Sequence, residues 1–217
     1  MRKLLRAVLV VKLILVILAI AVRPKLRVWG ATREEHEATY PGDDLVPDAD
    51  PPSTYAATYN APPAAIWPWL VQMGSDRGGF YSWDRLDNGG DPSADTIHPE
   101  WQDLAVGGRI ATVPDRSWFD VPILAPEKTL VLRASLDLGS GLSFNPAERR
   151  PRAYMDGVWS FHLIPTGENQ TRLIVRSVGT SKPPLLAMIS DLFFFGPAHW
   201  IMQVKQLDEL RSRVERN

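Results

Sequence analysis

Proton chemistry near neutral pH falls first to histidine, and this chain has four: His36, His98, His162 and His199. No two of them stand at metal-ligand spacing on a predicted helix, so a zinc site is not expected. Cysteine is absent, which removes disulfides, thiolate metal sites and cysteine nucleophiles. Acid–base work would need a carboxylate or imidazole whose pKa an apolar site displaces. Asp84, Glu100 and His199 are the candidates, and nothing in their spacing brings them together. The chain carries no Gly-x-Ser-x-Gly elbow, no phosphate-cradling loop and no dinucleotide fingerprint. Gly139-Ser140-Gly141 reads as loop, and Asn169-Gln170-Thr171 reads as a hairpin turn that happens to match a glycosylation acceptor. No catalytic residue, metal or cofactor is assigned.

Binding chemistry is better represented. An apolar guest needs a concave wall of hydrophobic and aromatic side chains with a few polar groups to orient it. Trp67, Tyr81, Trp83, Trp101, Trp159 and Phe161 can supply such a wall, or can equally fill a solid core. Arg133 and Arg176 fall inside predicted strands, where a buried guanidinium must meet an anion. A ligand carboxylate is one such anion; a neighbouring acid such as Asp84 or Glu100 is the other. With Asp84 and His199 these residues form the candidate ligand-binding set. His162 alternates outward from Trp159, Phe161 and Leu163 and is expected in solvent.

Composition supports a folded body. Hydrophobic residues make up 45% and charged residues 23% of 217 residues, the mixture of a globular protein with a core of useful size. The net charge of −1 conceals an asymmetry: residues 1–27 hold seven of the 24 Lys and Arg and no acid. The remainder therefore sets 17 basic against 25 acidic residues. Such an acidic body argues against nucleic acid as a partner.

The basic residues bracket an apolar run. Val8 to Val22 is interrupted only by Lys12, and with Leu4 and Leu5 the segment 4–22 is long enough to anchor in a bilayer if Arg6 and Lys12 snorkel. A cleaved signal peptide is the alternative, with Ala19-Ile20-Ala21 as its processing site and a secreted product. Lys12 and the basic Arg23-Pro24-Lys25 favour the single-pass anchor in the cell membrane. The expected organisation is an anchor over 1–28, an Asp- and Pro-rich linker over 29–52 and one domain over 53–217.

Within that domain, Ser53–Asn60 predicts a strand and Ala64–Met73 a short helix closed by Gly74. Segments 107–113, 117–124, 129–135, 154–164 and 171–179 predict further strands with turn residues between them, which describes an antiparallel meander. Pro183–Asn217 predicts a helix interrupted at Gly196-Pro197. Its second part points Ile201, Val204, Leu207, Leu210 and Val214 toward the sheet.

The order of strand, short helices, meander and long terminal helix, together with three sequence blocks, resembles the SRPBCC superfamily, the START and polyketide-cyclase-like proteins, in a bacterial membrane-anchored branch. The blocks are Tyr59–Gly74 (YNAPPAAIWPWLVQMG), Arg77–Asp84 (RGGFYSWD) and Pro99–Leu104 (PEWQDL). Trp159-Ser160-Phe161, Thr171–Arg176 and His199–Met202 agree with it, and the resemblance covers roughly residues 31–214. It implies an α+β helix-grip fold, a curved antiparallel sheet of about six to seven strands around a long C-terminal helix, with an apolar helix added at the N-terminus. It also implies a ligand cavity, in relatives that include lipid carriers, plant hormone-binding proteins, aromatase/cyclases and chaperone activators. Relatives often carry Gly-Asp after the position of Val106; here Gly107-Gly108 follows, so any role of that Asp is missing.

The expected function is binding or carrying of a hydrophobic small molecule, lipid or polyketide-like, by a membrane-tethered monomer. Two alternatives stay open: a cyclase or dehydratase acting on such a molecule, and a partner-binding membrane protein without a cavity.

Overall fold

The computed structural model describes residues 17–18, 20–113 and 115–216. Most of the apolar segment expected to anchor the chain, residues 4–16 and 19, lies outside these. Residues 20–27 are helical, and among the described residues no helix is long and apolar enough to cross a membrane.

Eight strands form one sheet: β1 (Val28–Trp29), β2 (Ser53–Tyr59), β3 (Arg109–Val113), β4 (Ser117–Ala125), β5 (Thr129–Asp137), β6 (Leu142–Ser143), β7 (Tyr154–Gly167) and β8 (Gln170–Lys182). Their order is β1-β2-β8-β7-β5-β4-β3, with β6 paired to β5. Only β1 runs parallel to its neighbour; the remaining pairs are antiparallel. The two strands beyond the six segments read from sequence are β1 and β6, each two residues long and too short to carry a period. Helices α1 (Arg33–Glu37), α2 (Pro63–Val71), α3 (Asp84–Asp87) and α4 (Pro184–Ser190) precede α5 (Gly196–Val214), the long helix that crosses the sheet. This is the helix-grip arrangement.

One face of the sheet builds the main core. Tyr55 and Tyr59 of β2, Leu130 and Leu132 of β5, Phe161 of β7 and Leu173 and Val175 of β8 share it with Ile66 and Leu70 of α2 and Leu207 and Leu210 of α5. Each such side chain contributes on the order of 1.5–3 kcal/mol by leaving water. The buried Tyr59 hydroxyl is satisfied by donating to the Leu207 carbonyl at 2.9 Å, which fixes α5 over β2.

The predicted break at Gly196-Pro197 is instead a change of helical pitch. Pro197 cannot donate to the carbonyl four residues back. The chain meets this with a π-helical turn, Asp191–Phe195, in which the Gly196 amide reaches the Asp191 carbonyl, and helix continues from α4 into α5.

The opposite face carries most of the stretch read from sequence as a linker, 29–52. Residues 30–50 lie along the convex side of the sheet as a strap. Arg172 of β8 grips Glu35 with two bonds of 2.8 and 2.7 Å, and Arg176 holds Asp43 at 3.0 Å. Glu35 also closes a capping box with Thr32 at the start of α1. Val46 packs on Val131 and Val158. At Gly42 the strap crosses β5 with φ +99°, where a Cβ would stand 2.7 Å from Val131 Cγ1. Aspartates and prolines carry no apolar period, but here the acids are anchors for strand arginines.

Candidate functional site

Where the segment 184–206 crosses the concave face, packing leaves a cavity of about 900 Å³. Phe80, Phe119 and Trp159 form its aromatic wall, with ring centroids 5.7–6.3 Å apart. Paired glycines, Gly157 of β7 and Gly179 of β8, stand in the floor. A Cβ on Gly179 would lie 3.1 Å from the Asp156 carbonyl, so these two strands approach closely where no side chain projects into the space. Leu26, Met188, Leu192 and Met202 add aliphatic surface toward the mouth.

Polar and charged residues, among them Arg23, Arg27, Asp50, Lys182 and Asp191, also line the cavity, and beside the aromatic wall the polar groups are paired. Trp159 Nε1 donates to Gln203 Oε1 at 2.9 Å; Gln203 Nε2 donates to Gln206 Oε1 at 2.7 Å; Gln206 Nε2 donates to the Phe80 carbonyl at 2.9 Å. This relay widens the inward stripe of α5, on which Leu207, Leu210 and Val214 are buried as expected. Gln203 and Gln206 face inward, while Ile201, expected inward, is exposed. His199 Nε2 pairs with Ser177 Oγ at 3.2 Å, and the ring meets Tyr55 edge-on with centroids 5.5 Å apart. The surface His199 retains borders the cavity. Enclosure by protein pushes the imidazole down to about 4, with nearby Asp191 opposing, so it is neutral at pH 7.

Asp87 is a wall residue that the sequence did not single out. Both its carboxylate oxygens are shut away from water without a hydrogen-bond partner. Burial, and then the charge of Asp84, raises its pKa. An acid after an aromatic run was the only available signal.

Of the ten residues proposed for ligand contact, the structure sets Trp159 and His199 on the cavity wall. Phe161 and Tyr81 are buried in the solid core, and Trp67 packs against it. Trp83 is half exposed with Lys205 Nζ 5.7 Å from its ring, and Trp101 stacks on His98 at 4.1 Å. Asp84 accepts from the Ser93 amide and hydroxyl at 3.2 and 2.6 Å, bracing the loop after α3. Arg133 and Arg176 lie on the convex face, since they alternate with the concave Leu132 and Val175. Arg133 bonds Asp156 at 3.0 and 2.9 Å, and Arg176 bonds Asp43. Neither partner is the Asp84 or Glu100 considered from sequence; Glu100 is exposed beside His98 at 3.3 Å.

His162 is likewise corrected. It is buried beneath the strap, stacked on Tyr40 at 4.8 Å and bonded to Ser160 at 2.9 Å. Among the described residues no group of three or more His, Cys, Asp or Glu side chains is arranged to hold a metal ion.

No family model matches the chain, and no curated protein matches it. Solved structures do. Protein MLL2253 from Mesorhizobium loti is 19% identical, with 76% of this chain and 98% of that one aligned at a TM-score of 0.43. CalU16 from Micromonospora echinospora is 16% identical over 75% of this chain and 65% of its own, with a TM-score of 0.42. PFC0360w, an HSP90 activator from Plasmodium falciparum, is 14% identical over 65% and 87%, with a TM-score of 0.37.

Proposed function

We propose that this chain binds or carries a hydrophobic small molecule, of lipid or polyketide-like kind, in the cavity between β7, β8 and α5. The observation that carries the reading is the cavity itself. Its volume of about 900 Å³ falls in the range of small-molecule sites, and its aromatic wall is broken by a short polar relay. Trp159, Gln203 and Gln206 satisfy one another, so an apolar guest enters without stranding their polar groups. His199 borders the cavity, and Arg23, Arg27, Asp50, Lys182 and Asp191 stand in its lining as charged groups that can orient a polar end of the guest. In this reading the protein is a monomer of the SRPBCC kind, tethered in the cell membrane through residues 4–22.

The test is native mass spectrometry of the full chain released from a membrane mimic, followed by extraction of its guest. An apolar molecule of defined mass at one per chain supports the reading. A bare chain that also takes up no fluorescent acyl probe counts against it.

A second reading, acid–base chemistry on the same guest, is favoured by Asp87 and His199 sharing one cavity. Burial raises the pKa of the first and pushes the second down to about 4, so two titrating groups bordering one cavity are displaced in opposite directions. Guests recovered from wild type and from the Asp87→Asn, His199→Gln double variant decide it. A dehydratase yields a guest one water lighter in the wild type alone, whereas a carrier yields identical guests.

A further inference from the structure

The cavity mouth is bordered by surface that ordinary soluble domains do not leave bare. On α4 and the π-helical turn, Leu185 (64% exposed), Met188 (49%), Ile189 (42%) and Phe195 (60%) stand in the open. Leu185, Met188 and Ile189 recur at three- and four-residue spacing and so share one side of α4. Met188 also lines the cavity, so the apolar surface and the opening are continuous.

The helical segment 20–27 is fastened to this place. Arg23 Nε donates to Asp191 Oδ2 at 2.9 Å, and Arg27 Nη2 reaches the same oxygen at 3.3 Å. Ile17, Leu18 and Ile20 on the same N-terminal stretch are each more than half exposed. Two apolar surfaces, one from each end of the chain, are thereby joined at the mouth, and the sequence of residues 1–27 that supplies one of them holds seven Lys and Arg and no acid.

We infer that the side of α4 and the π-helical turn that carries Leu185, Ile189 and Phe195 is seated in a bilayer bearing anionic headgroups, so that the cavity opens into lipid and not into water. Exposed apolar residues beside concentrated positive charge match the boundary between acyl chains and anionic headgroups. A guest then passes between bilayer and cavity without crossing water. This rests on the cavity reading above and adds to it the route of exchange.

Because the chain has no cysteine, each introduced one is a unique label site. The full chain, in nanodiscs of mixed phosphatidylcholine and phosphatidylglycerol, is spin-labelled in turn at Leu185→Cys, Ile189→Cys and Phe195→Cys. The control is Leu142→Cys on β6, a strand paired to β5 away from the mouth. Power saturation compares collisions with oxygen, which dissolves in lipid, and with a polar nickel chelate. The inference expects the three mouth labels to favour oxygen and the control to favour the chelate.

A tether through residues 4–22 alone leaves all four labels in water, and chelate accessibility at the mouth equal to that at position 142 overturns the inference. The two readings separate cleanly. A guest found by mass spectrometry with mouth labels in water removes only the bilayer-seated face. Labels in lipid around an empty cavity remove only the cavity reading.

Discussion

The indole of Trp159 donates to the side-chain oxygen of Gln203 at 2.9 Å, tying the concave face of β7 to the helix that crosses it. The bond makes a polar residue the correct inward choice on α5, and it fixes the indole as a flat wall of the cavity. Gln203→Leu keeps the volume but strands the indole N–H and breaks the link to Gln206. A loss of about 1–3 kcal/mol is expected in urea denaturation. Gln203→Glu, which retains an acceptor, restores part of it.

Asp156 is completely buried and answers Arg133, Arg150 and Ser135 at once. Asp156→Ala leaves Arg133 without its partner beneath the sheet and is expected to cost roughly 3–5 kcal/mol. Arg150→Ala removes a partner that is about one-third exposed and is expected to cost under about 1 kcal/mol. Equal losses from the two variants, measured by denaturant unfolding, would contradict this assignment.

Arg176 and Asp43 pin the strap. Asp43→Ala is expected to raise amide hydrogen exchange across residues 31–50 while leaving β7 and β8 protected. The same variant should bring the buried His162 into contact with water, visible as faster exchange of its ring N–H proton. Unchanged exchange over 31–50 would show that the Arg172–Glu35 pair and the apolar contacts at Val46 hold the strap without Asp43.

These relationships divide what the sequence disclosed from what it withheld. Strand alternation at Trp159, Phe161 and Leu163 placed β7, and the spacing of Leu207, Leu210 and Val214 placed the inner stripe of α5. Both are local patterns, each tied to one element. His162 was misplaced because its cover comes from Tyr40, 122 positions away by sequence number, in a stretch without periodicity. Arg133 and Arg176 invited a ligand because their acids, Asp156 and Asp43, are brought close only by strand pairing and by the strap. The cavity followed the same rule. Aromatic content was visible, but which rings face open space depends on Gly157 meeting Gly179 and on the turn of α5.

His162 also sets a pH dependence. Burial pushes its imidazole down to about 4, below the 6.5 of an unfolded chain, so between these values the unfolded state binds more protons. The contribution is complete above pH 6.5 and is lost as pH falls toward 4, by about 3 kcal/mol over the window. His199, pushed down to about 4 as well, adds a loss of the same sign. Urea unfolding at pH 7, 6 and 5 should show falling stability, and His162→Asn should flatten the slope. An unchanged slope in that variant would contradict the burial of the ring.

The central claim, a guest in the space beside Trp159, is tested most directly by filling that space. Ala134 lines the cavity from β5 across from Gly157, and Ala134→Trp would project an indole into the space beside Trp159. Uptake of a fluorescent acyl probe by the delipidated full chain is the measurement. The account predicts one site per wild-type chain and at least tenfold weaker uptake in the variant, with unchanged circular dichroism. Equal uptake by both proteins would contradict it, because the guest would then lie outside the cavity.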